Sequence, residues 1–355
     1  MCAVLKINEG ELAYKGWNAR SEMGGITMEQ LKERFLRPCR KLTDQFLIAA
    51  VITFLLMETG TIASLFGARL AGISTNETLP SYVPWALKSY FVFSGIWVVF
   101  VLVMVVFPAN RPMLRRLVPT IREGNTIVRT LLGLLAGFAC NGICVAISVL
   151  RHDIGLSFVG IDPAPLLVLF CGVVIQSGAE EIVTRLYLQQ KLLRRYKAPV
   201  VAVILSATFF AALHLLNPGI TVMAVVELLE ISVIFSLFCL YFDALGAAIA
   251  MHAAWNYTQN IIFGLPNSGL VSEYSIFKLE AAANGPFFDT MFGVEGAVGS
   301  CCVLGAFLIG LLIYIRVKHV KPIDIWAGAE EKARAEKGMA PAAAPASHAP
   351  RHMAK

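Results

Sequence analysis

Apolar residues fall along this chain in blocks of about 18 to 25, the length needed to cross a hydrocarbon core of roughly 30 Å as an α-helix. The blocks lie near 45–66, 84–107, 127–149, 164–189, 199–216, 220–242, 244–263 and 295–316. They predict an all-α fold, a polytopic transmembrane helical bundle of about eight spanning helices. Ahead of the first block, residues 1–44 are polar and mixed in charge, with no short apolar stretch near the start. No secretory signal peptide is expected there, so the first span acts as the insertion signal. The transmembrane domain covers 45–320. Beyond it, 321–355 is expected to be a solvent-exposed tail: EEKARAEK reads as a solvated helix, and MAPAAAPASHAPRHMAK is too rich in alanine and proline to bury a core. The loop 264–294 mixes Pro266, Asn267, Gly269, Asn284, Gly285 and Pro286 with apolar residues, and is expected to lie partly on the membrane surface.

Composition agrees, with 57% hydrophobic and 15% charged residues and a mean hydropathy of +0.68. The net charge of +6 is not a nucleic-acid signature, because the basic residues sit in short segments beside the apolar blocks. Lys32, Arg34, Arg37, Arg40 and Lys41 precede the first span; Arg111, Arg115, Arg116 and Arg122 follow the second. Lys191, Arg194, Arg195 and Lys197 follow the fourth; Arg316, Lys318 and Lys321 follow the eighth. All four clusters fall on one face, which by the positive-inside rule makes both termini cytoplasmic. The membrane is the plasma membrane in a prokaryote and the endoplasmic reticulum in a eukaryote. The eight cysteines are scattered and form no CxxC pair, which implies neither a disulfide framework nor a zinc knuckle.

Ionisable residues at membrane depth are functional candidates by default. Here they are Glu58, Glu180, Glu181, Arg185, His214, Glu227, Glu230 and His252, with Asn256 beside the last. In SGAEEIVTRLYLQQKL, Glu181 and Arg185 are four apart on one helical face and can pair. Glu180 points about 100° away and has no obvious local counter-ion, which suits a general base. The same stretch also reads as a span meeting the headgroups. Phe210 and His214 are one turn apart near the end of an apolar block. His252 and Asn256 stack on one helix face, fit either to donate to an oxyanion or to make a polar interhelical contact. Glu227 and Glu230 face one side at i, i+3. They could join a site, bind a cation or satisfy a neighbouring helix.

Glu180-Glu181 with Arg185 matches EExxxR, Phe210 with His214 matches FxxxH, and His252 with Asn256 matches HxxxN, in that order on successive apolar helices. This trio, within about 165–264, resembles the CAAX-protease and bacteriocin-processing family, also called the type II CAAX prenyl endopeptidase or Abi family of intramembrane proteases. The resemblance implies that Glu180 activates water with His214 assisting, that His252 and Asn256 stabilise the oxyanion, and that Glu181, Arg185 and Phe210 support the site. It implies a membrane-associated peptide or lipidated-protein substrate in the bilayer, with no nucleic acid. Thr184 and Leu186 stand where family members commonly carry an aromatic and a small residue.

Glu180, His214 and His252 could also form the two-histidine, one-carboxylate set of a catalytic metal such as zinc, although no HExxH helix is present and a metal-free glutamate mechanism is equally open. Other readings are a proton-coupled transporter, and a non-catalytic scaffold or immunity protein of the same fold. The cavity is expected to open toward the cytoplasm. Counting 1.5 Å per residue from the predicted ends places Glu180, His214 and His252 at about 15, 25 and 12 Å from the cytoplasmic face. They meet only if the fifth span is tilted, starts deeper, or follows an embedded segment around 190–200.

Overall fold

The computed structural model describes residues 28–38, 40–72, 79–336 and 338–339. The helices are α1 (Met28–Phe35), α2 (Phe46–Leu70), α3 (Tyr82–Ser89), α4 (Ser94–Val106), α5 (Ile127–Leu150), α6 (Pro163–Glu181), α7 (Gln189–Arg195), α8 (Pro199–Leu213), α9 (Val222–Phe242), α10 (Leu245–Asn256), α11 (Val298–Val317) and α12 (Ala327–Glu336). Strands β1 (Ile154–Phe158) and β2 (Phe277–Ala282) pair antiparallel as a small ribbon. The protein is an all-α membrane bundle, but its spans are not eight equal ones. Among the described residues five helices are long and apolar enough to cross a membrane, and α3 with 91–106, bent by 43°, makes up to six when the bent pair is counted as one span. The remaining two expected spans are short: α8 has 15 residues, and α10 has 12 before a π-helical turn.

Local chemistry explains where the central helices begin. Asp162 caps α6 by accepting from the Ala164 amide, with Pro163 in the first turn; Thr126 and Thr221 cap α5 and α9 in the same way. Close packing comes from small residues. A Cβ added at Gly133 or Gly137 of α5 would lie 2.3 Å from the carbonyl oxygen of Ala247 or Met251 on α10. Only glycine allows that backbone approach, the GxxxG logic of membrane helix pairs.

The two faces of the bundle differ. On the terminal face, Leu36 bridges Tyr196, Arg37 pairs with Asp324 and Glu330 at 2.6 and 3.1 Å, and Arg116 pairs with Asp243 at 3.0 Å. The four basic clusters thus meet on one side. In the segment expected to be a solvent-exposed tail, most of residues 321–336 are exposed, but the stretch is anchored to the bundle at one buried side chain. Trp326 is 2% exposed, donates from Nε1 to the Gln190 carbonyl at 3.0 Å, and is followed by α12; residues 340–355 lie outside the described residues, as do 1–27. The opposite face carries the β1–β2 ribbon and the 263–297 loop.

Candidate active site

Both helices that carry paired motif residues change form just past them. Glu180 and Glu181 end α6, and a π-helical turn, Ile182–Leu188, follows before α7. Asn256 ends α10, followed by a π-helical turn, Tyr257–Ile262. Such widened turns gather at functional sites because they break the side-chain register locally. The first also settles the depth mismatch between Glu180 and His214. The helix continues from 163 to 195, so Glu180 lies 15 residues, about 22 Å, before its end, and His214 follows the start of α8 by the same count. The sequence reading ended this helix too early, at 189, because the QQKLLRR stretch looked interfacial; Gln189 to Arg194 are instead buried.

Glu181 is the hub. It is fully buried and takes Arg185 in a two-point ion pair, Nε to Oε2 and Nη1 to Oε1, each at 3.2 Å. Its Oε1 also meets His252 Nδ1 at 2.9 Å. Arg185, equally buried, lies between the rings of Phe210 and Phe235, 4.6 and 5.3 Å from their centroids, and donates to Ser232 Oγ at 2.7 Å. Phe235 stacks on His252 at 5.4 Å, and Phe210 sits 4.7 Å from the His214 ring. Phe210 therefore packs against both imidazoles and the guanidinium.

Glu180 faces the cavity, held by Gln176 Nε2 on Oε1 at 3.2 Å. Its Oε2 lies 4.0 Å from His214 Nε2 and 3.7 Å from His252 Nε2. Both distances are too long for direct hydrogen bonds and leave a gap that water can bridge. The imidazole protons can be assigned from their other partners. His214 Nδ1 contacts the Phe210 carbonyl at 2.8 Å; a carbonyl only accepts, so that nitrogen carries the proton and Nε2 presents a lone pair. The Glu181 carboxylate fixes the proton on His252 Nδ1 by the same logic.

The remaining candidates divide. Asn256 lines the cavity and accepts at Oδ1 from Asn267 Nδ2 at 3.4 Å, so the group it can offer a ligand is its NH₂. Glu227 is buried at the cavity wall and accepts from Ser300 Oγ. Glu230 and Glu58 do not line the cavity, so the expected Glu227–Glu230 pair is split. Sequence reasoning missed Glu295. This carboxylate, 6% exposed, accepts from Trp255 Nε1 at 3.0 Å, Asn267 Nδ2 at 2.7 Å and the Ser268 amide at 2.7 Å. It ties the 263–297 loop to α10. Its one sequence signal was an acid at the very start of the last apolar block.

Zinc would draw two imidazole nitrogens and a carboxylate oxygen to about 2.0–2.2 Å of one point. Among the described residues no group of three or more His, Cys, Asp or Glu side chains is placed to hold a metal ion. The Glu180, His214 and His252 set does not fit a metal as arranged.

The cavity, about 590 Å³, runs from Phe210, Phe235 and His252 past Glu180 toward Lys88, Asn267 and Val271. Its lining contains no residue from 183–209 or 236–251. The expected cytoplasmic opening is therefore not what the structure shows if the termini are cytoplasmic: the half between the site and the termini is packed shut, with Ile182, Arg185, Leu188 and Leu192 at most 1% exposed.

Residues 162–258 match the family model described as type II CAAX prenyl endopeptidase, Rce1-like. The matched stretch runs from the cap of α6 to the second π turn and contains all three motifs. No curated protein and no solved structure matches the chain.

Proposed function

Because residues 162–258 match the family model described as type II CAAX prenyl endopeptidase, Rce1-like, we propose that the protein is an intramembrane endopeptidase that cleaves membrane-associated peptides with water activated by Glu180. One observation carries this reading. A single carboxylate oxygen faces two imidazole nitrogens at 4.0 and 3.7 Å, and each ring is pinned at its other nitrogen. Water in that gap donates one hydrogen to Glu180 Oε2 and one to His214 Nε2. Its lone pair is then free to meet a carbonyl carbon.

As the new C–O bond forms, Glu180 takes the water proton and negative charge moves to the carbonyl oxygen. Asn256 NH₂ donates to that oxygen, and Nε2 of His252 does so when the imidazole carries a second proton beside the Glu180 and Glu181 carboxylates. Glu180 returns the proton to the leaving nitrogen as the C–N bond breaks. Glu181 and Arg185 touch none of the reacting atoms; they hold His252. A lipid chain on the substrate adds about 0.8 kcal/mol of membrane affinity per buried CH₂. Both termini lie in the cytoplasm, on the strength of the basic clusters.

The test is cleavage of a quenched fluorescent peptide library, farnesylated CAAX peptides included, by detergent-purified protein and by Glu180→Ala. Turnover by the parent that Glu180→Ala abolishes supports the reading, and the product masses name the substrate class. A correctly folded protein that cleaves nothing contradicts it and favours a scaffold.

A further inference from the structure

The bundle has one closed half and one open half, and charge tells which is which. Between residues 45 and 315, the lysines and arginines on the ribbon face are Arg69, Lys88, Arg151 and Lys278. Against them stand Asp153, Asp162, Glu273, Glu280 and Asp289 among the described residues of the same segments. The opposite face gathers the four basic clusters, joined there by the contacts of Arg37, Arg116 and Tyr196. The positive-inside bias therefore assigns the ribbon face to the non-cytoplasmic side.

The cavity opens on that ribbon face. Its most exposed lining residues are Lys88 in α3 and Leu270 and Val271 in the 263–297 loop, the last two 67% and 60% exposed. Glu295 holds the same loop over the rim through Asn267 and Ser268. In the other direction the lining ends at Phe235 and His252, and beyond them Ile182, Arg185, Leu188 and Leu192 are fully buried.

We infer that the site takes its substrate from the non-cytoplasmic side, so that the peptide cleaved is one presented outside the cytoplasm, not a cytosolic C-terminal tail. The inference rests on the proposed peptidase activity for its substrate class, but the side on which the cavity opens stands apart from that activity. A peptide lying along the outer surface of the membrane reaches Glu180 past Lys88 and Val271 without crossing the bilayer. A cytosolic tail meets only the closed half.

Val271→Cys and Lys318→Cys are introduced separately into the full chain, expressed in bacterial cells, and treated with a bulky membrane-impermeant maleimide. Labelling is counted above that of the parent with its native cysteines. Val271→Cys is expected to label in intact cells, and Lys318→Cys only after permeabilisation. The reverse pattern places the mouth in the cytoplasm and overturns the inference. Modified Val271→Cys is also expected to lose peptide cleavage by an order of magnitude, while Lys278→Cys, on the ribbon away from the cavity, keeps it when modified. Equal cleavage by both modified proteins would put the entrance elsewhere and contradict the route. If the unmodified protein cleaves no peptide at all, the peptidase reading fails while the labelling still decides the face.

Discussion

Asp44 and Glu180 are both carboxylates inside a membrane protein, one in the closed half and one in the open half, and their surroundings could hardly differ more. Asp44 is fully buried and is met by Arg194 at 2.6 and 2.7 Å and by Lys191 at 3.2 Å; Arg194 in turn lies 4.8 Å from the centre of the Trp326 ring. Every charge there has an opposite neighbour. Glu180 faces water-accessible space, with an amide on one oxygen and two imidazoles short of contact on the other. The lesson is that charge at depth marks function only where it is left uncompensated. A satisfied cluster fastens helices, and removing one member strands the others.

That contrast can be broken in order of expected effect. Asp44→Ala leaves Lys191 and Arg194 buried without their carboxylate and should cost about 3–5 kcal/mol of stability. Thermal unfolding in detergent reads this as a lower midpoint, while turnover per folded molecule stays near the parent's. Asn256→Ala removes one oxyanion donor and should lower kcat about 10² to 10³-fold with KM little changed. Steady-state kinetics on the best peptide separate the two parameters.

Arg185→Lys keeps the charge but loses the two-point grip on Glu181 and the flat stacking between Phe210 and Phe235. The account expects roughly a tenfold loss of kcat through a loosened His252, the 1 Å misplacement effect of a supporting residue. Glu295→Gln keeps one oxygen to accept from Trp255 and Asn267, removes the charge, and sets an NH₂ where the second oxygen accepts from the Ser268 amide. A change of about threefold or less in kcat/KM is expected, since this residue touches no reacting atom in the proposed step. A larger loss would move Glu295 into the reacting set.

The three motifs were legible because each is an i, i+4 pair on an apolar helix, and that spacing alone puts Glu181 with Arg185 and His252 with Asn256 on shared faces. The partners across helices were less so. No spacing announces that His252 Nδ1 binds Glu181, or that Ser300 answers Glu227. Depth was misjudged because a π turn carries the fourth helix six residues past its apparent end, through Gln190, Lys191 and Arg194, which look interfacial until Asp44 and Trp326 cover them. Glu295 stayed hidden for a related reason. A lone acid at the edge of an apolar block looks like an interfacial residue until a returning loop brings donors to it.

The most direct measurement of the central claim reads turnover and thermal midpoint together for Glu180→Gln, a change that keeps shape and hydrogen bonding but removes the base. Cleavage is expected to fall by about 10² to 10⁴-fold, the usual contribution of a general base, with the unfolding midpoint unchanged or raised because an uncompensated charge has gone from the cavity wall. Retained turnover, or a midpoint that falls as far as that of Asp44→Ala, would contradict it.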